Sequence, residues 1–421
     1  MRQLGLDIFR SIAIFLVFIA HLETLFLHHP QKEAALPPLG QWGVDFFFVL
    51  SGFLIGRILI RSLVKHKDYQ WIPHFIYRRW LKTLPLYYLV LFFYAYLYGF
   101  PQDFLLYVFH IKGLVSWTDP IFFGASWSLF VEEFFYIACA LCAFSFYFIK
   151  KESLPITLLK FCFLIILTAV FYRILFVLFY TQKNNLMNIT IARLDAPIFG
   201  FILAIIKEYY PTIFYQMEKN RYVILVIGFL VILSTLINTN HAVTPIIPYA
   251  FLFIGTAALS ACMLYILIKK MGLIGKNPFF NSTYKKALFY LISLLITIFL
   301  FKSLLHTYLI YFSTTWSFTI IGFSSAMVLL YFATLPELNL GDKTRSMILF
   351  FSESSYAVYL THELVIKFCF SFIKDTPKAL EFKYGALTAV LSIMLTYFLC
   401  YFLVKFIEKP ILAWRDRRFF L

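Results

Sequence analysis

Two side chains in the first apolar run of this chain have the chemistry of a reaction centre. In FRSIAIFLVFIAH (Phe9–His21), ten residues separate Arg10 from His21. Eleven steps of about 100° come to roughly 20° beyond three full turns, so in a helix both side chains share one face, about 16 Å apart along the axis. A buried imidazole can take a proton or carry a group as a nucleophile. A guanidinium nearer the end of the span can hold an anion. A charge at the centre of a bilayer costs roughly 2.5–3.5 kcal/mol on insertion scales, so such residues usually face an interior cavity. The bland alternatives are that Arg10 snorkels to headgroups and that a neighbouring carbonyl satisfies His21.

More ionisable groups stand in runs of the same kind. WSLFVEEFFY (127–136) sets Trp127 and Ser128 ahead of Glu132 and Glu133. Adjacent helical positions point about 100° apart, so only one of the two carboxylates can look directly into a given pocket. RLDAPIFG (193–200) carries Arg193 and Asp195, expected as a mutual pair beside the small residues Ala196 and Gly200. SSYAVYLTHEL (354–364) carries His362 and Glu363 in mid-segment. His362-Glu363 opens no zinc-binding H-E-x-x-H, because Ile366 stands where the second histidine is required. No metal site is expected.

The elements that must position these groups are membrane helices. The chain has 421 residues, is 62% hydrophobic and 21% aromatic, and is only 14% charged, too little to solvate a water-soluble surface. Apolar runs of about 20 residues recur, long enough to cross roughly 30 Å of hydrocarbon. We read an all-α polytopic membrane protein of about twelve spans, near 8–27, 44–63, 84–100, 127–149, 155–179, 189–206, 222–237, 246–268, 287–305, 316–335, 354–373 and 384–407. Lys and Arg crowd the second, fourth, sixth and eighth connections and the C-terminus, which places both termini in the cytoplasm. The net charge of +16 is thus a topology signal and not a nucleic-acid footprint. The first run is too long, and too rich in charge, for a cleavable signal. The six cysteines lie in apolar segments and read as packing thiols. Residues 64–83 mix aromatic and basic side chains like an amphipathic segment lying on the membrane surface. Residues 99–126 combine Pro, Gly and aromatics like a partly re-entrant extracytoplasmic loop or one lining a cavity. No linker or repeat divides residues 1–421, which we treat as one domain.

In order along the chain, LDIFRSIAIFLVFIAH, GVDFFFVLSGFLIG, FIYRRWLKTLPLYY, WSLFVEEFFY, SSYAVYLTHELV and FIEKP resemble the motifs of the acyltransferase 3 family of integral membrane acyltransferases. Each motif is loose alone; six in sequence are specific. The resemblance implies transfer of an acyl group, commonly acetyl, from cytoplasmic acetyl-CoA. The acceptor it implies is a sugar hydroxyl of a lipopolysaccharide, O-antigen or other envelope or exported polysaccharide, in the bacterial cytoplasmic membrane. The chain departs from the family at Lys82, where arginine is common, and at Glu363, where a bulky or neutral residue is usual. It stops soon after FIEKP, so no fused extracytoplasmic hydrolase-like domain is expected.

With that resemblance, roles can be assigned to residues. Arg78, Arg79 and Lys82 would clamp the donor's phosphates, and Arg10 would steer its thioester inward. His21 would act as general base or as acyl-carrying nucleophile, with Glu132 orienting it or binding sugar hydroxyls. Trp127, Ser128, Glu133, Arg193, Asp195 and His362 would line the acceptor side. The expected partners are a carbohydrate acceptor and membrane lipids, with no nucleic acid and no metal. A secondary transporter would also carry buried ionisable residues, although no inverted repeat is visible. Acyl transfer to a periplasmic glucan, a lipid-linked glycan or a small metabolite is the other alternative.

Overall fold

Lipid offers backbone N–H and C=O groups no partner, so each span must satisfy them internally. The computed structural model describes residues 3–26, 37–115, 122–148, 153–179, 186, 188–237, 315–372 and 378–418, and among these every regular element is helical. In chain order they are α1 (Leu4–Phe26), α2 (Pro37–Lys65), α3 (Ile72–Tyr98), the short α4 (Phe104–Val108) and α5 (Lys112–Val115), α6 (Ser126–Phe148) and α7 (Leu154–Phe179). Then come α8 (Asp195–Tyr209), α9 (Pro211–Lys219), α10 (Arg221–Ile237), α11 (Thr315–Ala333), α12 (Asp342–Ser371), α13 (Lys378–Leu403) and α14 (Lys409–Arg418).

Seven of the described helices are long and apolar enough to cross a membrane, or eight if α8 and α9, bent by 112°, form one broken span. The expected spans at 246–268 and 287–305 lie outside the described residues. The one expected at 222–237 is a short apolar helix. The one expected at 354–373 belongs to a 30-residue helix that buries Ser352, Ser354, Ser355, Thr361 and His362 along with apolar residues such as Val358 and Leu360. Residues 64–83 are not a separate surface segment. A short turn follows Lys65, and from Ile72 onward the chain is already the first three turns of α3.

α2 is the inner helix, packed along both α1 and α8. Its contact with α8 brings two backbones together through two glycines. A Cβ built on Gly52 would overlap the carbonyl of Pro197, and one on Gly200 would overlap the carbonyl of Val49. In a membrane, where apolar side chains gain little by leaving lipid, such small-residue contacts supply much of the packing between helices. Aromatic and aliphatic side chains fill the rest: Phe9, Phe46, Phe53 and Phe201 lie in one cluster, and Phe48, Tyr87, Phe123 and Phe130 in a second.

Among the described residues, the loop after α3 folds back along that helix. Tyr87 and Tyr88 donate to the carbonyls of Tyr107 and Val108, and the Tyr107 hydroxyl accepts the Phe122 N–H. Tyr87 lies eleven residues before the end of α3, so the loop dips about 16 Å below that end. His110 makes the turn at φ 60° and stacks on Tyr87. The loop's aromatics are largely committed to one another, Tyr107 and Phe123 being fully buried.

If the glycine contact sets the spacing of α2 and α8, Gly52→Val and Gly200→Val will each lower the thermal midpoint in detergent, by the 1–3 kcal/mol or more of an overpacked core. Gly341→Ser, at a helix start with nothing within 4 Å of its Cβ position, will leave the midpoint unchanged or slightly raised.

Candidate active site

α1, α2, α3, α6, α12 and the chain around the α13–α14 junction enclose a cavity of about 440 Å³. Each helix contributes one face. α2 supplies Val44, Phe47, Phe48, Ser51, Leu54 and Ile55; α6 supplies Ser128, Glu132 and Tyr136; α12 supplies Ser352, Ser355, Tyr356 and Tyr359. These spacings of three, four and seven are those of a single helical stripe. The walls are tied together by hydrogen bonds between helices. Ser51 meets Tyr136 at 3.2 Å, Tyr356 donates to the Thr83 carbonyl at 2.7 Å, and Arg10 donates to Ser352 at 3.3 Å. Ser352 in turn donates to Asp7 at 2.6 Å.

Four cations and three carboxylates line this space: Arg10, Arg79, Lys82 and Lys409 with Glu132, Glu353 and Glu408. Lys409 pairs with Glu353 at 3.1 Å. Glu408 ends a π-helical turn, Val404–Glu408, that joins α13 to α14. The wider turn shifts the phase of the helix, a common device at functional sites. Among the described residues the buried Glu408 Oε2 and Arg79 Nε have no hydrogen-bond partner. The orphaned Arg79 donor and the cations around it suit an anionic group, and the orphaned Glu408 oxygen suits a hydrogen-bond donor on the same ligand.

At the inner end of the cavity the Ser128 and Tyr359 hydroxyls meet at 2.6 Å. One turn further along α12 stands His362, its ring centroid 4.7 Å from that of His21 and perpendicular to it. Both imidazoles are fixed through Nδ1: His21 against the Val17 carbonyl at 2.9 Å, His362 against the carbonyls of Val358 and Tyr359. Nδ1–H donation to a carbonyl leaves Nε2 as the basic nitrogen of a neutral ring. His362 Nε2 is buried and, among the described residues, has no partner. The cavity thus gathers Arg10, Arg79, Lys82, Ser128 and Glu132, while His21 and His362 form a separate pair just past its end. Glu132 lies on the cavity wall, and the ring neighbour of His21 is His362 rather than a carboxylate.

Other expected site residues are placed elsewhere. Glu133 points away from the cavity, as the 100° step requires, and accepts from Trp80 Nε1 and Thr83 Oγ1 at 3.0 and 2.8 Å. It joins α3 to α6. Trp127 is buried against Phe48. Arg78 pairs with Asp416 of α14 at 2.9 Å, outside the cavity lining. Glu363, where the chain departs from the family pattern, rests its carboxylate over Gly124 and pairs with Lys367.

Arg193 and Asp195 do not pair with each other. Residues two apart point to opposite sides of a helical turn, and each reaches across to another helix. Arg193 binds Asp45 of α2, and Arg173 of α7 binds Asp195, both at 2.8 Å with all four side chains 0% exposed. Thr319 of α11 also donates to Asp195. The Arg193 guanidinium lies 4.2 Å from the Phe318 ring centroid, with Phe48 and Trp127 near 6 Å. These four charges tie α2, α7 and α8 together, and none of them lines the cavity, although Phe48 beside them does. Asp45 and Arg173 were missed although each is a charge within an otherwise apolar run, where a balancing partner in another span is to be sought. Glu408 and Lys409 were missed as site residues although FIEKP marks them.

Comparison with known proteins gives a family match. The model of a family described as an acyltransferase domain matches residues 3–277. That interval contains Arg10, His21, Arg79, Lys82 and Glu132 and ends before His362 and Glu408. No curated protein and no solved structure matches the chain.

Removing one partner of a buried pair strands the other charge, at a cost of about 3–5 kcal/mol. Asp45→Ala and Arg173→Ala will therefore sharply reduce the yield of folded protein and its thermal midpoint. Asp45→Leu combined with Arg193→Leu will recover much of the loss, which a double-mutant cycle of melting temperatures measures.

Proposed function

The chain belongs to the acyltransferase 3 family, and from that premise we propose that it is an O-acyltransferase. It moves an acyl group, acetyl being the simplest, from acetyl-CoA on the cytoplasmic side to a sugar hydroxyl of an envelope or exported polysaccharide on the other side. The positive-inside distribution supports cytoplasmic termini and the full set of about twelve spans, and with them a cavity that faces the cytoplasm through Arg79, Lys409 and the start of α14. A bacterial cytoplasmic membrane fits this reading.

The observation that carries it is the alignment of a charged cavity with a histidine pair. Arg79, Lys82 and Lys409 suit the phosphates and polar amides of a coenzyme A. Arg10, tied through Ser352 and Asp7, suits the thioester end. The donor's narrow pantetheine arm matches a cavity that follows α6 for about 12 Å, two helical turns from Tyr136 to Ser128. Arg78 has no part in the clamp, because it serves the contact between α3 and α14.

Transfer then needs one proton acceptor. The acceptor hydroxyl gives its proton to Nε2 of His21 as its oxygen bonds to the thioester carbonyl carbon. The C–S bond breaks, and the leaving thiolate takes up the proton. His362, held by two carbonyls, positions His21 by ring contact. A direct acyl-imidazole on His21 uses the same geometry, and accumulation of acylated protein without acceptor would identify it.

The test uses membranes carrying the protein, acetyl-labelled acetyl-CoA and the producing cell's polysaccharide. Wild type will label the polysaccharide. His21→Ala will lower the rate by about 10²–10⁴, the usual worth of a general base, while the protein still inserts. Glu408→Gln will mainly raise KM for the donor. Full transfer by His21→Ala would remove His21 from the chemistry, and uptake of a solute without thioester consumption would favour a transporter.

A further inference from the structure

The histidine pair adjoins the cavity without lining it. Ser128 and Tyr359 belong to the cavity lining, whereas neither histidine does. Both hydroxyl-bearing side chains are buried, and they close on one another at 2.6 Å. The Tyr359 ring stands between the cavity and His362. Phe47, a cavity residue, packs on it at 6.2 Å between centroids, and His362 packs on it at 5.9 Å. Phe18 covers His362 from α1 at 5.9 Å. Ser128 is held in register by its helix, within 3.3 Å of the Ala125 carbonyl.

We infer that the Ser128–Tyr359 hydrogen bond is a partition across the transfer path, and that Ser128 and Tyr359 are positioning residues which admit the acyl carbon to the histidine pair only when that bond opens. The inference rests on the acyltransferase reading for its chemistry, though the partition itself is a matter of geometry. A single hydrogen bond between neutral hydroxyls has a small net worth, so it can open on every turnover. Tyr359 sits on α12 three residues before His362, and its backbone carbonyl accepts from His362 Nδ1. Rotation of the ring can therefore open the path without moving the histidine. The closed partition has a chemical use. A thioester beside a basic imidazole and water, with no acceptor present, would hydrolyse: water oxygen bonds to the carbonyl carbon, the C–S bond breaks, and free carboxylate, thiol and one proton result. Holding the thioester short of the histidines suppresses that loss.

The experiment has two readouts. First, His21→Cys in sealed vesicles is treated with a membrane-impermeant cationic methanethiosulfonate on the face bearing Arg79 and Lys409, with the parent protein setting the background from native thiols. We expect slow labelling in His21→Cys alone, and labelling faster by about tenfold, the order of one lost hydrogen bond, when Ser128→Ala or Tyr359→Phe is added. Tyr359→Ala, which removes the ring as well, should label faster still. Equal rates in all of these proteins overturn the partition. Second, in the otherwise unaltered chain, Ser128→Ala and Tyr359→Phe should raise acetyl-CoA hydrolysis without acceptor relative to transfer with it. A fall in transfer with no change in that ratio overturns the positioning role and leaves the pair a structural contact. If wild type neither hydrolyses nor transfers, the acyltransferase reading fails and the positioning role falls with it, while the labelling rates still decide whether the partition exists.

Discussion

Four fully buried charges hold this fold together: Asp45 with Arg193, and Arg173 with Asp195. Ionised groups at that depth persist only if each has an opposite charge in contact, because desolvation costs several kcal/mol per ion. The requirement fixes where α2, α7 and α8 sit relative to one another, and Thr319 extends it to α11. It also fixes the rotation of α2. With Asp45 turned toward Arg193, the stripe from Val44 to Ile55 turns toward the cavity, and Gly52 comes to rest against Pro197 of α8. The cavity-lining groups are therefore borne on helices whose positions are set by a separate set of charges.

The cavity places its own charges differently. Lys409 pairs with Glu353, but the buried Arg79 Nε and Glu408 Oε2 have no hydrogen-bond partner among the described residues and, unlike the unpartnered atoms of the four-charge cluster, they border an open cavity. Unsatisfied buried polar groups are costly, and a ligand that satisfies them recovers that cost. The two histidines are treated in the opposite way. Each is locked by a carbonyl at Nδ1, so that Nε2 is the nitrogen left for chemistry. A polar binding chamber and a rigid basic pair, with two hydroxyls between them, suit a reaction in which the donor enters from one side and the acceptor from the other.

How much of this was legible depends on the range of the interaction. Arg10 and His21 share a helix, so their common face follows from helical phase. The same phase argument showed that Glu132 and Glu133 could not both face the cavity. That the chain after α3 is broken and folds back along that helix was legible from Pro and Gly breaks among aromatics. Arg193 and Asp195 were misread as partners because closeness in sequence was taken for closeness in space, whereas a two-residue step in a helix separates side chains. Residues 64–83 were misread as a surface segment because alternating aromatic and basic residues also suit the end of a span crossing the interface.

The sequence by itself determined that the chain is an all-helical membrane protein, that charged and imidazole groups lie within its apolar runs, and that its motifs follow the acyltransferase 3 order. These are properties of composition, local periodicity and short patterns, which do not depend on how helices pack. Only the tertiary structure decided which charges are structural and which line a cavity, that His21 meets His362 from the other end of the chain, and that Glu408 joins the site through a π turn. Those facts depend on the rotation and depth of one helix against another, and these are set by contacts between residues hundreds of positions apart.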